Sequence, residues 1–346
     1  MKSGLIIPAN YRPLLSAHET EIAIRRIKTF FQENLAFELN LLRVTAPLMV
    51  RAGTGINDDL SGTQRPISFR PADLEGDAEI VQSLAKWKRM HLADFGYAPG
   101  TGIYTDMNAI RPDETLDNLH SLYVDQWDWE RVMHPHERNL DFLKAIVRRI
   151  YDVIYRTEKY ICYLFPVTQP ATLPQEITFI HTEDLEARYP NLEPWERERE
   201  VCREYGAVFL IGIGAPLRDG RPHDSRAPDY DDWSTPSGDG YQGLNGDILV
   251  YYPLLDCAYE LSSMGIRVDR AALLRQLEMC GNPERRELLF HRRLLAGELP
   301  QSIGGGIGQS RLCMFYLRKA HIGEVQSSLW PTEMVETCRA HNIILL

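Results

Sequence analysis

The chain has 346 residues, 44 % of them hydrophobic, enough to bury a sizeable core as one large domain or two modest ones, and this excludes a disordered or fibrous protein. Asp and Glu number 48 against 38 Lys and Arg; a formal charge of -10 repels polyphosphate, so nucleic acid is not expected as a main partner. Apolar runs such as Ala207-Val208-Phe209-Leu210-Ile211 fall far short of the roughly 20 residues a membrane span needs.

The apolar patch Leu5-Ile6-Ile7 is cut off by Pro8 and Asn10 before it becomes a signal-peptide core, so a cytoplasmic protein is expected. Cys162, Cys202, Cys257, Cys280, Cys313 and Cys338 form no CxxC pair, which fits reduced, mostly packed thiols. Ser16 and Glu19 have capping-box spacing, and Ile24, Ile27, Phe31 and Leu35 make one stripe, predicting a helix that ends near residues 32–34. Residues 39–50 read as a strand carrying Pro47, suited to an edge or an interface because proline donates no ladder hydrogen bond. Residues 51–65, rich in Gly, Asp and Ser, read as a loop.

Further strands are predicted at 80–83, 102–110, 119–129, 177–181, 207–213, 248–252 and 258–268, and helices at 84–92, 137–165, 193–205, 270–278, 286–295 and 311–319. Strands arrive in runs rather than alternating with helices. The expected class is therefore α+β, a mostly antiparallel sheet flanked by helices, rather than a doubly wound parallel fold. The irregular stretch 212–246 is long enough to suggest function, and its aromatics Tyr230, Trp233 and Tyr241 imply order; it reads as a wall or lid of an active site.

Several groups could carry chemistry. Gly304-Gly305-Gly306-Ile307-Gly308 precedes a helix opening near Arg311, so it would offer backbone N–H groups to an anion, let a ligand approach the main chain, or simply make a tight strand-to-helix turn. It is neither a P-loop nor a full dinucleotide fingerprint. Arg311, a cation at a helix start, suggests a polyanion nearby. If 247–252 pairs with 255–260 about a turn centred on Pro253 and Leu254, Asp247 faces Glu260; opposed carboxylates call for a cation such as Mg²⁺ shared with phosphates, whereas a slipped register leaves two exposed acids. Strand alternation puts Val124, Gln126 and Asp128 on one face and Trp127 and Trp129 on the other, the floor of a polar pocket or a solvated sheet surface. Lys86, Lys88 and Arg89 lie either on a solvated helix face or at a site. His134-Pro135-His136 reads as a turn, and His223 with Asp224 as surface.

These stretches resemble a known family. Leu84 to Arg89, Arg111-Pro112-Asp113-Glu114, Tyr123 to Met133, Arg226 to Pro236, Leu244 to Val250, Glu260 to Val268 and Gln301 to Leu312 are similar to bacterial aspartate–ammonia ligases, the asparagine synthetase A family, which itself looks like the catalytic domain of class II aspartyl- and asparaginyl-tRNA synthetases. The resemblance implies one catalytic domain over residues 1–346, a homodimer, and the three class II motifs at the first helix with its Pro47 strand, at 111–130 and at 304–311. It implies that aspartate, ATP and ammonia give asparagine, AMP and pyrophosphate with Mg²⁺. Arg111 and Arg311 would hold phosphates, Asp113 or Glu114 would read adenine, Gly304 and Gly306 would adjoin ATP, and Asp247 and Glu260 would carry Mg²⁺. Lys88 and Arg267 would meet the two aspartate carboxylates in either order, with Ser83, Gln126, Asp128, Asp231, Ser262 and Ser263 completing the pocket. Asp58 would attract ammonium and take its proton; the family's Asp-Asn is Asp58-Asp59 here, which leaves Asp59 as the other choice. Two other readings are an aspartyl- or asparaginyl-tRNA synthetase paralogue and a regulatory module that has lost its chemistry.

Overall fold

The computed structural model describes residues 4–58, 64–238 and 240–346; Asp59 lies outside them. The capping box forms as predicted: the Ser16 backbone N–H donates to Glu19 at 2.9 Å, and Ser16 Oγ accepts from the Glu19 N–H at 3.3 Å. The helix it opens, α1 (Ala17–Leu39), outruns the expected end by more than a turn, because Leu35 and Leu39 continue the four-residue spacing of Ala23, Ile27 and Phe31, and Asn40 then closes it in the left-handed region at φ 56°.

No single strand carries Pro47. The chain instead makes β1 (Leu41–Arg43), passes through Pro47, and starts a second short strand at Met49–Arg51 in a separate sheet, antiparallel to Ala78–Ile80. A proline cannot pass a hydrogen-bond ladder through itself, so the two halves serve different sheets.

The main sheet adds β2 (Gly102–Ile110), β3 (Tyr123–Val132), β4 (Thr178–His181), β5 (Ala207–Ile211), β6 (Asn245–Tyr252), β7 (Cys257–Ile266) and β8 (Ser302–Gly308). Among the described residues its spatial order is β1-β2-β3-β8-β7-β6-β5-β4. The sheet is mixed: β1 runs parallel to β2 and β4 parallel to β5, while the strands between are antiparallel. The expected antiparallel arrangement holds for the centre, and the parallel pairs sit at both edges.

Helix α1 and helix α3 (Leu140–Leu164) cover one face of this sheet. Ile27 and Phe31 from α1, Ile150 and Ile154 from α3, Trp127 and Trp129 from β3, and Ile303 and Ile307 from β8 share one apolar core. Period-two alternation then sends Val124, Gln126, Asp128 and Glu130 of β3 to the opposite face, together with Gly304, Gly306 and Gly308 of β8. Helix α2 (Ala85–Asp94) packs on that second face, and its charges are not solvated: Lys86, Lys88 and Arg89 are each buried to within 2 %. No helix among the described residues is long and apolar enough to cross a membrane.

Candidate active site

A cleft of about 510 Å³ opens on the second face, floored by β3, β7 and β8 and walled by residues 224–231 of the long irregular stretch. Most of the predicted residues meet there: Ser83, Lys88, Arg111, Glu114, Gln126, Asp128, Asp231, Glu260, Ser263, Arg267, Gly306 and Arg311 line it.

One end is a compensated charge network. Lys88 on α2 spends its ammonium on the Trp129 carbonyl at 3.0 Å, the Gly305 carbonyl at 3.1 Å and Asp128 Oδ1 at 3.3 Å. Burial pulls its pKa down and Asp128 opposes that pull. Arg267, which follows β7, donates to Glu130 from Nε at 3.1 Å and from Nη2 at 2.8 Å, and pairs through Nη1 with Asp231. Its guanidinium lies 5.7 Å from the centre of the Tyr230 ring. Burial pushes the Glu130 carboxyl up, but Arg267 and Lys88 outweigh it and hold it below the usual carboxylate range; for Asp231 burial prevails over Arg267 and the carboxyl is raised.

The other end is cationic. Arg111 sits at the tip of the β2–β3 hairpin, its Nε buried without a hydrogen-bond partner. Arg311 occupies the first turn of α4 (Gln309–Tyr316), donates to the Glu260 carbonyl at 3.1 Å and stands 5.4 Å from the centre of the Tyr259 ring. Along β3 the hairpin tip and Asp128 are five residues apart, roughly 16 Å at strand rise. Such a cleft can hold a long anionic ligand at one end and a small zwitterion at the other.

Arg226 ties the wall to β6, whose Asp247 does not itself line the cleft. It donates to Asp224 at 2.7 Å and to Asp247 Oδ2 on β6 at 2.5 Å, while Asp247 Oδ1 is buried with no hydrogen-bond partner. Burial raises the Asp247 carboxyl; Arg226 works against this and nearby Glu260 adds to it.

The family model for aspartate–ammonia ligase matches residues 18–342. The chain belongs to the aspartate–ammonia ligase family. It is 62 % identical to the aspartate–ammonia ligase of Parabacteroides distasonis over 99 % of this chain and 100 % of that one, and 59 % identical to that of Bacteroides fragilis with the same coverage. It shares the fold of asparaginyl-tRNA synthetase from Pyrococcus horikoshii, solved with asparaginyl-adenylate, at a TM-score of 0.67 and 18 % identity over 91 % of this chain and 70 % of that one.

Within this ligase framework several expectations change. The β6–β7 ladder pairs Asp247 with Ser263 and Glu260 with Leu249, not Asp247 with Glu260. The turn is longer than expected, since Tyr252 pairs with Cys257 rather than Leu255, and a bulge between Ile248 and Leu249 shifts the register once more; alternation encodes neither. The glycines of residues 304–308 are neither a turn nor an N–H cradle, since they lie inside β8 and pair with β3 and β7. Their service is to lack side chains: a Cβ on Gly306 would strike Gln126 Oε1 and reach 2.8 Å from Asp128 Oδ1, and one on Gly304 would strike Glu130. Gly304 therefore adjoins the Arg267 network and does not line the cleft.

Ser262 donates to the Gly306 carbonyl at 2.9 Å and does not line the cleft, whereas Ser263 does. Asp113 is held by Arg65 at 2.6 Å outside the cleft, leaving Glu114 as the member of that pair inside it. Asp58 lines a neighbouring cavity of about 220 Å³ and presses electrostatically on Tyr230 of the main cleft. His223 is buried, 2.8 Å from Glu198, and not a surface residue.

Glu130 and Arg226 were not singled out from sequence. Continuing the alternation of β3 two residues past Asp128 finds Glu130; nothing local marks Arg226. Lys86 is likewise buried, 3.0 Å from Asp229, whose same oxygen meets His291 at 3.0 Å.

Proposed function

We propose that this chain makes asparagine from aspartate and ammonia through a β-aspartyl-adenylate, consuming ATP and releasing AMP and pyrophosphate. The observation that carries the reading is a sequence that matches aspartate–ammonia ligases along their whole length, folded around a cleft with phosphate-suited arginines at one end and a charge-compensated amino-acid pocket at the other. A carboxylate resists ammonia because its leaving group would be oxide; joined to AMP, it leaves as phosphate.

Arg111 and Arg311 hold the triphosphate and offset the charge that develops as a β-carboxylate oxygen displaces pyrophosphate from the α-phosphorus. Glu114 reads the adenine amino group. Lys88 and Arg267 take the two carboxylates of aspartate and Asp128 and Asp231 its ammonium, with Ser83, Gln126 and Ser263 fixing its orientation. Gly306 keeps the floor clear, and Gly304 leaves room for the Arg267–Glu130 pair.

Asp247 and Glu260 suit Mg²⁺: Asp247 has a free buried acceptor oxygen, and carboxylate oxygens are the ligand class this ion takes. Among the described residues no group of three or more His, Cys, Asp or Glu could hold a metal unaided, which fits an ion shared with phosphates. Bound there, Mg²⁺ neutralises triphosphate charge. Asp247→Asn is expected to raise the Mg²⁺ concentration for half-maximal turnover about tenfold; an unchanged requirement removes Asp247 from the metal site.

Ammonia attacks only when deprotonated, and buried Asp58, beside Tyr230, is the base that receives the proton. Asp58→Asn should leave aspartate-dependent ATP–pyrophosphate exchange intact and stall amide formation. Equal loss of both transfers the role elsewhere.

We further propose one catalytic unit that works in the cytoplasm as a homodimer without nucleic acid. Exposed Phe37 and Leu42 on α1 and edge strand β1 give an apolar face for a second copy, the thiols are free, and the net charge disfavours RNA. The test is incubation with aspartate, ATP, Mg²⁺ and ammonium: asparagine with AMP is expected, while asparagine with ADP, or adenylate formed without asparagine, overturns the reading.

A further inference from the structure

Asp128, Glu130 and Asp231 are each matched to a cation as deeply buried as they are. Lys88 serves Asp128, and Arg267 serves Glu130 and, across the cleft, Asp231. Asp247 is the exception. Its partner, Arg226, comes from the wall and bridges exposed Asp224 at the rim to buried Asp247 on β6, with side-chain exposures of 62 % and 8 %. The arginine stem is seated, because a Cβ on Gly214 would come within 3.0 Å of Arg226 Cβ. Asp247 thus has one oxygen occupied by a resident cation and one that is buried and empty-handed.

We infer that Arg226 is a built-in counter-cation that makes metal binding at Asp247 conditional on nucleotide. This rests on the reading of Asp247 as a metal-site acid. A divalent ion arriving alone meets a carboxylate already neutralised by a guanidinium and must sit beside that positive charge, which opposes it. An ion arriving with a triphosphate brings the anion that Arg226 can take instead. Arg226 lines the same cleft as Arg311, and guanidinium suits phosphate by its planar fork of donors. The exchange transfers Arg226 from Asp247 to phosphate and frees both carboxylate oxygens for the metal. It also draws the wall toward the nucleotide through the segment that carries Tyr230 and Asp231. Arg226 is in this sense a positioning residue for the metal and a binding residue for phosphate.

The full chain without nucleotide, titrated with Mn²⁺ and read by the loss of the free-ion electron paramagnetic resonance signal, tests this. Wild type and Arg226→Lys should bind Mn²⁺ weakly, Arg226→Gln at least tenfold more tightly, and Arg226→Gln with Asp247→Asn should lose that gain. Arg226→Gln should also weaken binding of a non-hydrolysable ATP analogue with Mn²⁺ present. Equal Mn²⁺ affinity of Arg226→Gln and wild type overturns the inference. If instead Asp247→Asn alone binds Mn²⁺ with the ATP analogue as wild type does, the metal-site reading is the one that fails. Two wild-type crystals give the answer without any variant. Soaked with Mn²⁺ alone, the Arg226–Asp247 pair should persist with no ion on Asp247; with Mn²⁺ and the analogue, the ion should sit on Asp247 and Arg226 on phosphate. An ion on Asp247 with Arg226 still paired to it contradicts the exchange.

Discussion

Arg311→Ala is expected to lower the rate of aspartate-dependent ATP–pyrophosphate exchange by about 100- to 1,000-fold, the range for removing one preorganised group that stabilises developing charge. The arginine stands in the first turn of α4, where the helix dipole disfavours a cation, and no carboxylate among its hydrogen-bond partners rewards it: its partner is the Glu260 carbonyl at 3.1 Å, and it rests against the Tyr259 ring. Gly308 keeps its place open, since a Cβ there would lie 2.8 Å from the arginine side chain. Its placement makes sense when an anion completes the site. The side chain is only partly buried, so the variant should melt within a few degrees of wild type. Retained exchange would reject the phosphate role, and a collapsed fold would show that Arg311 is structural.

Arg267→Leu should be costly in both stability and activity. Arg267, Glu130 and Asp231 are each at most 3 % exposed, and removing the shared cation leaves two carboxylates in the interior. Breaking a buried ion pair costs about 3–5 kcal/mol, a loss that thermal or denaturant unfolding would detect readily. The pH dependence has a definite sign. Glu130 is held below its ordinary pKa, so its contribution is present above the unfolded carboxylate range and fades as pH falls through the lower folded value; Arg267→Leu should therefore narrow the gap to wild type in acid. Combining Arg267→Leu with Glu130→Leu should recover part of the stability but none of the activity, because the apolar pair packs yet cannot meet a substrate carboxylate. Recovery of both would make the pair structural alone.

The parts of this protein that were legible in its sequence are those set by local periodicity. Alternation in β3 separated Gln126 and Asp128 from Trp127 and Trp129, and that single pattern locates the cleft floor and the core at once. The Ser16 and Glu19 cap and the limits of β2 are equally local, and of the irregular stretch 212–246, read as a wall or lid from its length and aromatics, residues 224–231 wall the cleft. What escaped depends on long-range or irregular geometry. The longer turn between Tyr252 and Cys257 and the bulge at Ile248 and Leu249 together take Glu260 out of register with Asp247, and no alternation rule encodes either. Helix α2 carries Lys86, Lys88 and Arg89 inward, against the ordinary habit of charged helix faces, because Asp229, Asp128 and backbone carbonyls distant in sequence await them. Arg226 found Asp247 across 21 residues of irregular chain. The glycines of β8 were conspicuous in composition and misleading in conformation: they serve by leaving room, as Gly306 does between Gln126 and Asp128.

That the side-chain carboxylate of aspartate is joined to the α-phosphorus of ATP is tested most directly by isotope transfer. Aspartate labelled with ¹⁸O in its β-carboxylate, turned over with ATP, Mg²⁺ and ammonium, should yield AMP carrying one ¹⁸O in its phosphoryl group and asparagine retaining the other. Label in inorganic phosphate beside ADP, or AMP without label, would contradict the account.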